Sequence, residues 1–193
     1  NQFTNMQLAI AVTEIAIFRS YMESYGISPQ FMAGHSIGEY AALVCSGAVE
    51  LRDTVNILKK RGELVERLQK SYDAHMTIVD QLSTDEVASL IRDHGETSHV
   101  YVSCFNSRSQ CALSGLDDEL DSVEQELVDK GASLSPLLYS PPMHCPLMEE
   151  IADEFRDFLS TIPFYPFRIP LLSNVSGLPF SDCRKLPERL AQH

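Results

Sequence analysis

The segment Gly34-His35-Ser36-Ile37-Gly38 constrains this chain more than any other. An apolar, extended-looking run, Phe31-Met32-Ala33, leads into it, and an alanine-rich run, Tyr40-Ala41-Ala42-Leu43-Val44-Cys45, follows. The pattern is G-x-S-x-G set between a strand and a helix. A serine at its centre sits on a sharp turn that needs small neighbours, and the turn lifts the hydroxyl clear of the sheet. The helix that follows aims free N–H groups and its positive dipole end at the same spot. Serine is a poor nucleophile by itself, so such a turn calls for a base nearby.

A chain of 193 residues fits one domain, or one domain with a small inserted lobe. No stretch approaches the roughly 18 unbroken apolar residues of a membrane span, and no basic region followed by a greasy core marks a secretory leader. The N-terminus opens almost directly into a helix, as expected of a fragment cut from a longer chain. The five cysteines, Cys45, Cys104, Cys111, Cys145 and Cys183, include no C-x-x-C pair, which points to free thiols in a reducing, cytoplasmic setting. The net charge of -12 argues against nucleic acid as a partner, because a phosphate-tracking surface must be basic.

Helical spacing of Met6, Ile10, Thr13, Ile17 and Tyr21 predicts a helix over about 5–25. A second apolar face, Leu8, Val12 and Ile15, predicts burial on more than one side. A helix over about 51–68 carries the stripe Leu51, Val55, Leu58, Val65 and Leu68, and Arg61 falls on that stripe. A guanidinium there is costly without an anionic partner; the competing reading is a solvated basic patch, Lys59-Lys60-Arg61. Between about 76 and 139 the rhythm changes: a strand at Met76–Val79, then a helix from Ser83 to His94 with a Ser83/Glu86 capping box. Paired strands at Val100–Asn106 and Gln110–Gly115, a helix over Asp117–Lys130 and a last strand at Ser133–Tyr139 follow. The order βαββαβ is that of a ferredoxin-like unit. It lies between two α/β stretches, so the expected fold is α/β: a hydrolase-like large subdomain with a parallel sheet (1–75 and 140–193) and an inserted ferredoxin-like small subdomain (76–139). Beyond it, a helix with Leu147, Ile151, Phe155, Phe158 and Ile162 on one face, a strand over 169–175 and a helix over the tail from Ser181 to His193 complete the body.

Of the six histidines, His75, His94, His99 and His193 lie in polar segments. His35 adjoins the serine, but neighbours on a tight turn point apart. His144 is pinned by Pro141, Pro142 and Pro146, and a base in fixed geometry is what general-base catalysis requires. A satisfied loop histidine is the competing reading. No acid stands out as a third triad member, which leaves either a Ser-His-Asp triad or a Ser-His dyad oriented by a backbone carbonyl. No metal-ligand spacing and no phosphate-binding glycine loop are present, so neither a metal nor a bound cofactor is expected.

Taken together, Gly34-His35-Ser36-Ile37-Gly38-Glu39-Tyr40-Ala41-Ala42-Leu43, Lys60-Arg61-Gly62, Asn106-Ser107, Ser114-Gly115, His144-Cys145-Pro146-Leu147-Met148 and Ser173-Asn174-Val175-Ser176-Gly177 resemble malonyl-CoA:acyl carrier protein transacylases. The acyltransferase domains of polyketide synthases share that fold. The resemblance runs over nearly the whole chain in the family's order. It implies that Ser36 carries the acyl group as an ester and that His144 takes its proton, then activates the phosphopantetheine thiol of an acyl carrier protein. It further implies that Arg61 clasps the free malonyl carboxylate, that the Ile37 N–H forms half of the oxyanion hole, and that His35 and Met143 line the substrate pocket. The implied partners are a CoA thioester and an acyl carrier protein, with no nucleic acid and no membrane.

Two departures stand out. The family's opening Gly-Gln-Gly-Ser-Gln loop, which supplies the other oxyanion donor, is absent, and so is the later part whose backbone carbonyl orients the histidine. This piece alone is therefore expected to show little activity and to fold poorly. Ile37 stands where methylmalonyl users carry glutamine, which favours malonyl. Pro141-Pro142-Met143-His144 matches neither the malonyl nor the methylmalonyl signature, so methylmalonyl is the alternative extender. Other readings are an acyl-carrier hydrolase, for which Arg61 has no use; a non-catalytic docking unit, which would not need Ser36 and His144; and an unrelated α/β-hydrolase, which would need an acid between the two.

Overall fold

The computed structural model describes residues 2–95, 97–137 and 140–193. The chain forms two compact units, one of residues Asn1–Leu64 and Ala152–His193, the other of Val65–Ile151.

In the first unit, α1 (Gln2–Tyr25) packs on α2 (Gly38–Cys45), and α3 begins at Leu51 and runs to Gln69. Only Gln7, Ala11 and Ile15 of α1 are buried. They recur every fourth residue and form one stripe. The two-sided burial expected of this helix does not occur: Met6, Ile10, Val12, Ile17 and Tyr21 are exposed. A Cβ on Gly62 of α3 would fall on Thr4 Oγ1 of α1, so glycine is required for the two helices to come this close. Of the expected stripe on α3, Leu58, Val65 and Leu68 are buried, Leu51 and Val55 are half-buried, and Arg61 is buried among them.

The parallel sheet expected of the body is, among the described residues, one parallel bridge between Met32 and Leu171. Met32 N–H donates to Pro170 O (2.9 Å) and Leu172 N–H to Met32 O (2.7 Å). The strand expected over 169–175 is cut to Leu171–Leu172 (β5), which pairs antiparallel with Pro179–Phe180 (β6). Pro170 offers no N–H to a ladder on one side, and the chain turns at 174–176 on the other. The helix expected over 181–193 is cut to α7 (Leu186–Ala191), because a 3-10 turn at Cys183–Lys185 precedes it.

In the second unit the order is β1 (Ala74–Asp80), α4 (Thr84–Asp93), β2 (Val100–Ser107), β3 (Gln110–Leu116), α5 (Asp117–Asp129) and β4 (Ser133–Pro136). The strands form one sheet in the order β2-β3-β1-β4, with every pairing antiparallel. Tyr139, the end of the expected last strand, lies outside the described residues. Alternation puts Val79, Cys111 and Leu113 on one face of the sheet. They pack with Val87 and Leu90 of α4 and Leu120, Val123 and Leu127 of α5. The Ser83 capping box forms as the sequence predicts: Glu86 N–H donates to Ser83 Oγ (3.2 Å) and Ser83 N–H to the Glu86 carboxylate (3.0 Å). The chain then enters α6 (Glu149–Leu159) through a 3-10 turn at Pro146–Met148. Among the described residues no helix is long and apolar enough to cross a membrane.

Candidate active site

Ser36 sits at φ 51°, in the left-handed region, and starts the turn into α2. An L-residue there costs roughly 1–2 kcal/mol, so the surroundings must impose it. Three successive turn bonds do so: Gly38 N–H to His35 O (2.9 Å), Glu39 N–H to Ser36 O (3.0 Å) and Tyr40 N–H to Ile37 O (3.1 Å). Gly34 is required by space, since a Cβ on it would fall on the Gly38 carbonyl group. Among the described residues the Ile37 N–H is donated to no acceptor, and the Ile37 side chain is buried. His35 is exposed and Ser36 half-buried.

Arg61 is 7% exposed. Its Nη1 donates to Gln7 Oε1 at 2.6 Å, and its guanidinium carbon lies 5.8 Å from the centre of the Tyr40 ring. Burial pulls the guanidinium pKa down, and burial pushes the Tyr40 phenol up to about 12, against the opposing pull of Arg61. Among the described residues no carboxylate pairs with Arg61. Among the described residues, Gln7 Nε2 and Tyr40 Oη are likewise buried without a hydrogen-bond partner. The solvated basic patch reading therefore fails at Arg61; of its neighbours, Lys59 is exposed and the half-buried Lys60 bonds Glu154 through Nζ at 2.8 Å.

In the second unit His144 also has a positive φ, 57°. Its loop is fastened on both sides. The Ser114 hydroxyl of β3, fully buried, donates to Met143 O at 2.9 Å, and Met148 N–H donates to Cys145 O at 2.9 Å. Met143 is buried and His144 half-buried. Cys145, beside His144, is no rival nucleophile, because burial pushes its thiol up to about 11 and keeps it protonated. Cys45 and Cys111 are held at about 11 for the same reason.

One group of potential metal ligands occurs among the described residues: His75, Asp121 and Glu124. Its geometry has a simpler explanation. His75 Nδ1 lies 2.7 Å from Asp117, and Nε2 lies 3.4 Å from Glu124 and 3.9 Å from Asp121. Both ring nitrogens face carboxylates, which suits an imidazolium. Burial lowers its pKa, but the Asp117 hydrogen bond and the Glu124 charge outweigh this, and the net direction is up.

The expected residues thus divide between the units. His35, Ser36, Ile37 and Arg61 belong to the first, Met143 and His144 to the second. Sequence reasoning missed Gln7, although a glutamine on a stripe with Ala11 and Ile15 was a readable signal. It also missed the roles of Ser114 and Asn174, which stood in quoted motifs without an assignment.

The chain is α/β, with a serine of positive φ at the head of a helix and a buried arginine that has no acid partner among the described residues. Residues 1–191 match the acyl transferase domain family, and the chain belongs to it. A malonyl CoA-acyl carrier protein transacylase of Bacillus subtilis is 30% identical over 190 residues, 98% of this chain and 48% of that protein. The malonyl CoA-acyl carrier protein transacylase of Coxiella burnetii superimposes with a TM-score of 0.92 at 29% identity, over 99% of this chain and 61% of that one. A malonyl-transacylase solved in complex with its type II polyketide synthase acyl-carrier protein gives 0.91 at 27% identity, over 100% and 62%. The chain therefore spans between 48% and 62% of the length of these relatives.

Proposed function

We propose that the protein carrying this chain moves a malonyl group from CoA to the phosphopantetheine thiol of an acyl carrier protein, in fatty acid or polyketide synthesis. The observation that carries this reading is Arg61: a guanidinium buried to 7% exposure with a glutamine, a tyrosine face and no carboxylate among the described residues. A buried cation left unpaired is costly, and a diacid's free carboxylate supplies the missing charge in bidentate form. An acyl-carrier hydrolase acting on simple acyl chains has no use for such a group.

In this reading Ser36 Oγ attacks the malonyl thioester carbon while His144 takes the hydroxyl proton. The C–S bond breaks, and the CoA thiolate leaves with that proton. The carrier thiol then gives its proton to His144 and attacks the seryl ester carbon; the Oγ–acyl bond breaks, and Ser36 takes that proton from His144 to become a hydroxyl again. CoA departs before the carrier binds, so the kinetics are ping-pong. The undonated Ile37 N–H supports a role as one oxyanion donor, and His35 and Met143 line the acyl pocket. No cofactor takes part. The organisation proposed with it is a hydrolase-like body (1–75 and 140–193) carrying a ferredoxin-like insert (76–139), in a cytoplasmic protein whose five free cysteines suit a reducing compartment.

The test is incubation of the purified protein with labelled malonyl-, methylmalonyl- and acetyl-CoA, followed by intact mass and peptide mapping. A malonyl adduct on Ser36 is expected. A dominant methylmalonyl adduct would move the assignment to the branched extender, and an acetyl preference would refute the carboxylate clasp.

A further inference from the structure

We infer that Asn174 and Glu39 are positioning residues for the serine turn: the Asn174 amide ties the Gly34 carbonyl to the buried Glu39 carboxylate and so holds Ser36 in its left-handed conformation. The inference rests on Ser36 being the nucleophile. Asn174 Nδ2 donates to Gly34 O at 2.8 Å and to Glu39 Oε2 at 2.7 Å. Both hydrogens of one amide are thereby spent, on the residue that opens the turn and on a residue of the helix that closes it.

The same local pairing delivers both ends of this tie. Met32, two residues before Gly34, bridges Leu171, and Asn174 follows three residues after Leu171. Ser173, itself buried, fixes the backbone beyond: its carbonyl accepts from Gly177 N–H (2.8 Å) and its hydroxyl from Val175 N–H (3.2 Å). Glu39 is 5% exposed, and His193 Nδ1 lies 3.1 Å from the same carboxylate oxygen. Burying a carboxylate beside an amide is costly; a helix packed only for stability has no need of it. The cost is offset by control of a turn that must hold a non-glycine residue at φ 51°.

Four proteins test this: wild type, Asn174→Asp, Asn174→Ala and the double variant Asn174→Asp/Glu39→Gln. Each is followed by the rate at which a fluorophosphonate probe labels Ser36, by kcat and KM with malonyl-CoA, and by thermal melting. Asn174→Asp and Asn174→Ala should label at least tenfold more slowly, with kcat lowered and KM for malonyl-CoA unchanged. The double variant restores an amide–carboxylate link with its polarity reversed. It should therefore recover the melting temperature that Asn174→Asp loses, yet stay slow, because Gly34 O still lacks a donor. Wild-type labelling rates in the single variants, or recovery of rate together with melting temperature in the double variant, would overturn the inference. The probe reads the turn without a malonyl group, so a wild type that takes the probe but no malonyl refutes the substrate assignment alone, and the variants' labelling rates still decide the tie.

Discussion

Arg61→Ala tests the central claim most directly, since the claim is that one buried guanidinium selects acidic acyl groups. Free of substrate, the guanidinium gives Nη1 to Gln7 (2.6 Å) and lies against the Tyr40 ring. Removing one partner of a buried ion pair costs about 3–5 kcal/mol. With about 1.36 kcal/mol per factor of ten, kcat/KM for malonyl-CoA should fall roughly 10²- to 10⁴-fold. Acetyl-CoA has no free carboxylate to lose, so its use should stay level or rise. The assay is the rate of acyl-serine formation by rapid quench and intact mass, with both thioesters run on each protein. The acetyl arm serves as the folding control, because a collapsed site loses both substrates together. Equal losses for malonyl and acetyl in a protein that melts normally would refute the selective role. An unchanged malonyl rate would refute the clasp altogether.

Two further outcomes follow from the packing and the charges. Gly62→Ala should destabilise the fold by about 1–3 kcal/mol through overpacking, because the new Cβ meets Thr4 Oγ1. Adding Thr4→Ala should return most of that loss in a denaturant titration, and an additive pair would show that the helices do not meet there. His75 has its folded pKa raised by the Asp117 and Glu124 carboxylates against the lowering effect of burial. Its stabilising contribution is complete below the unfolded value of about 6.5 and fades as pH rises through the folded value. The melting-temperature gap between wild type and His75→Gln should therefore be wide near pH 6 and close towards alkaline pH; a constant gap would show that His75 is not the charged group.

Local chemistry left clear marks in the sequence. The Ser83/Glu86 box started α4 where the sequence placed it, since both partners lie within one helical turn and need no distant residue. Gly34 and Gly38 marked a turn that glycine alone fits at its first position. Arg61 stood out because a charge on an apolar stripe conflicts with every local rule, and it is indeed buried. The face of α1 was misread for the opposite reason. Hydrophobicity favoured Met6, Ile10 and Ile17 along with Ile15, but only Ile15 of these is buried, beside Gln7 and Ala11, and which face is covered depends on the neighbours, not on the helix itself.

The sequence alone thus showed where α4 begins, which serine sits on a tight turn and which arginine lies on an apolar stripe, since each follows from residues a few positions apart. Tertiary structure decided the partners. Gln7 meets Arg61 across 54 residues of chain, Ser114 reaches the Met143 carbonyl across 29, and Asn174 reaches Gly34 across 140. No periodicity encodes such pairs, because a hydrogen bond between distant segments forms only once packing has brought their backbones within about 3 Å.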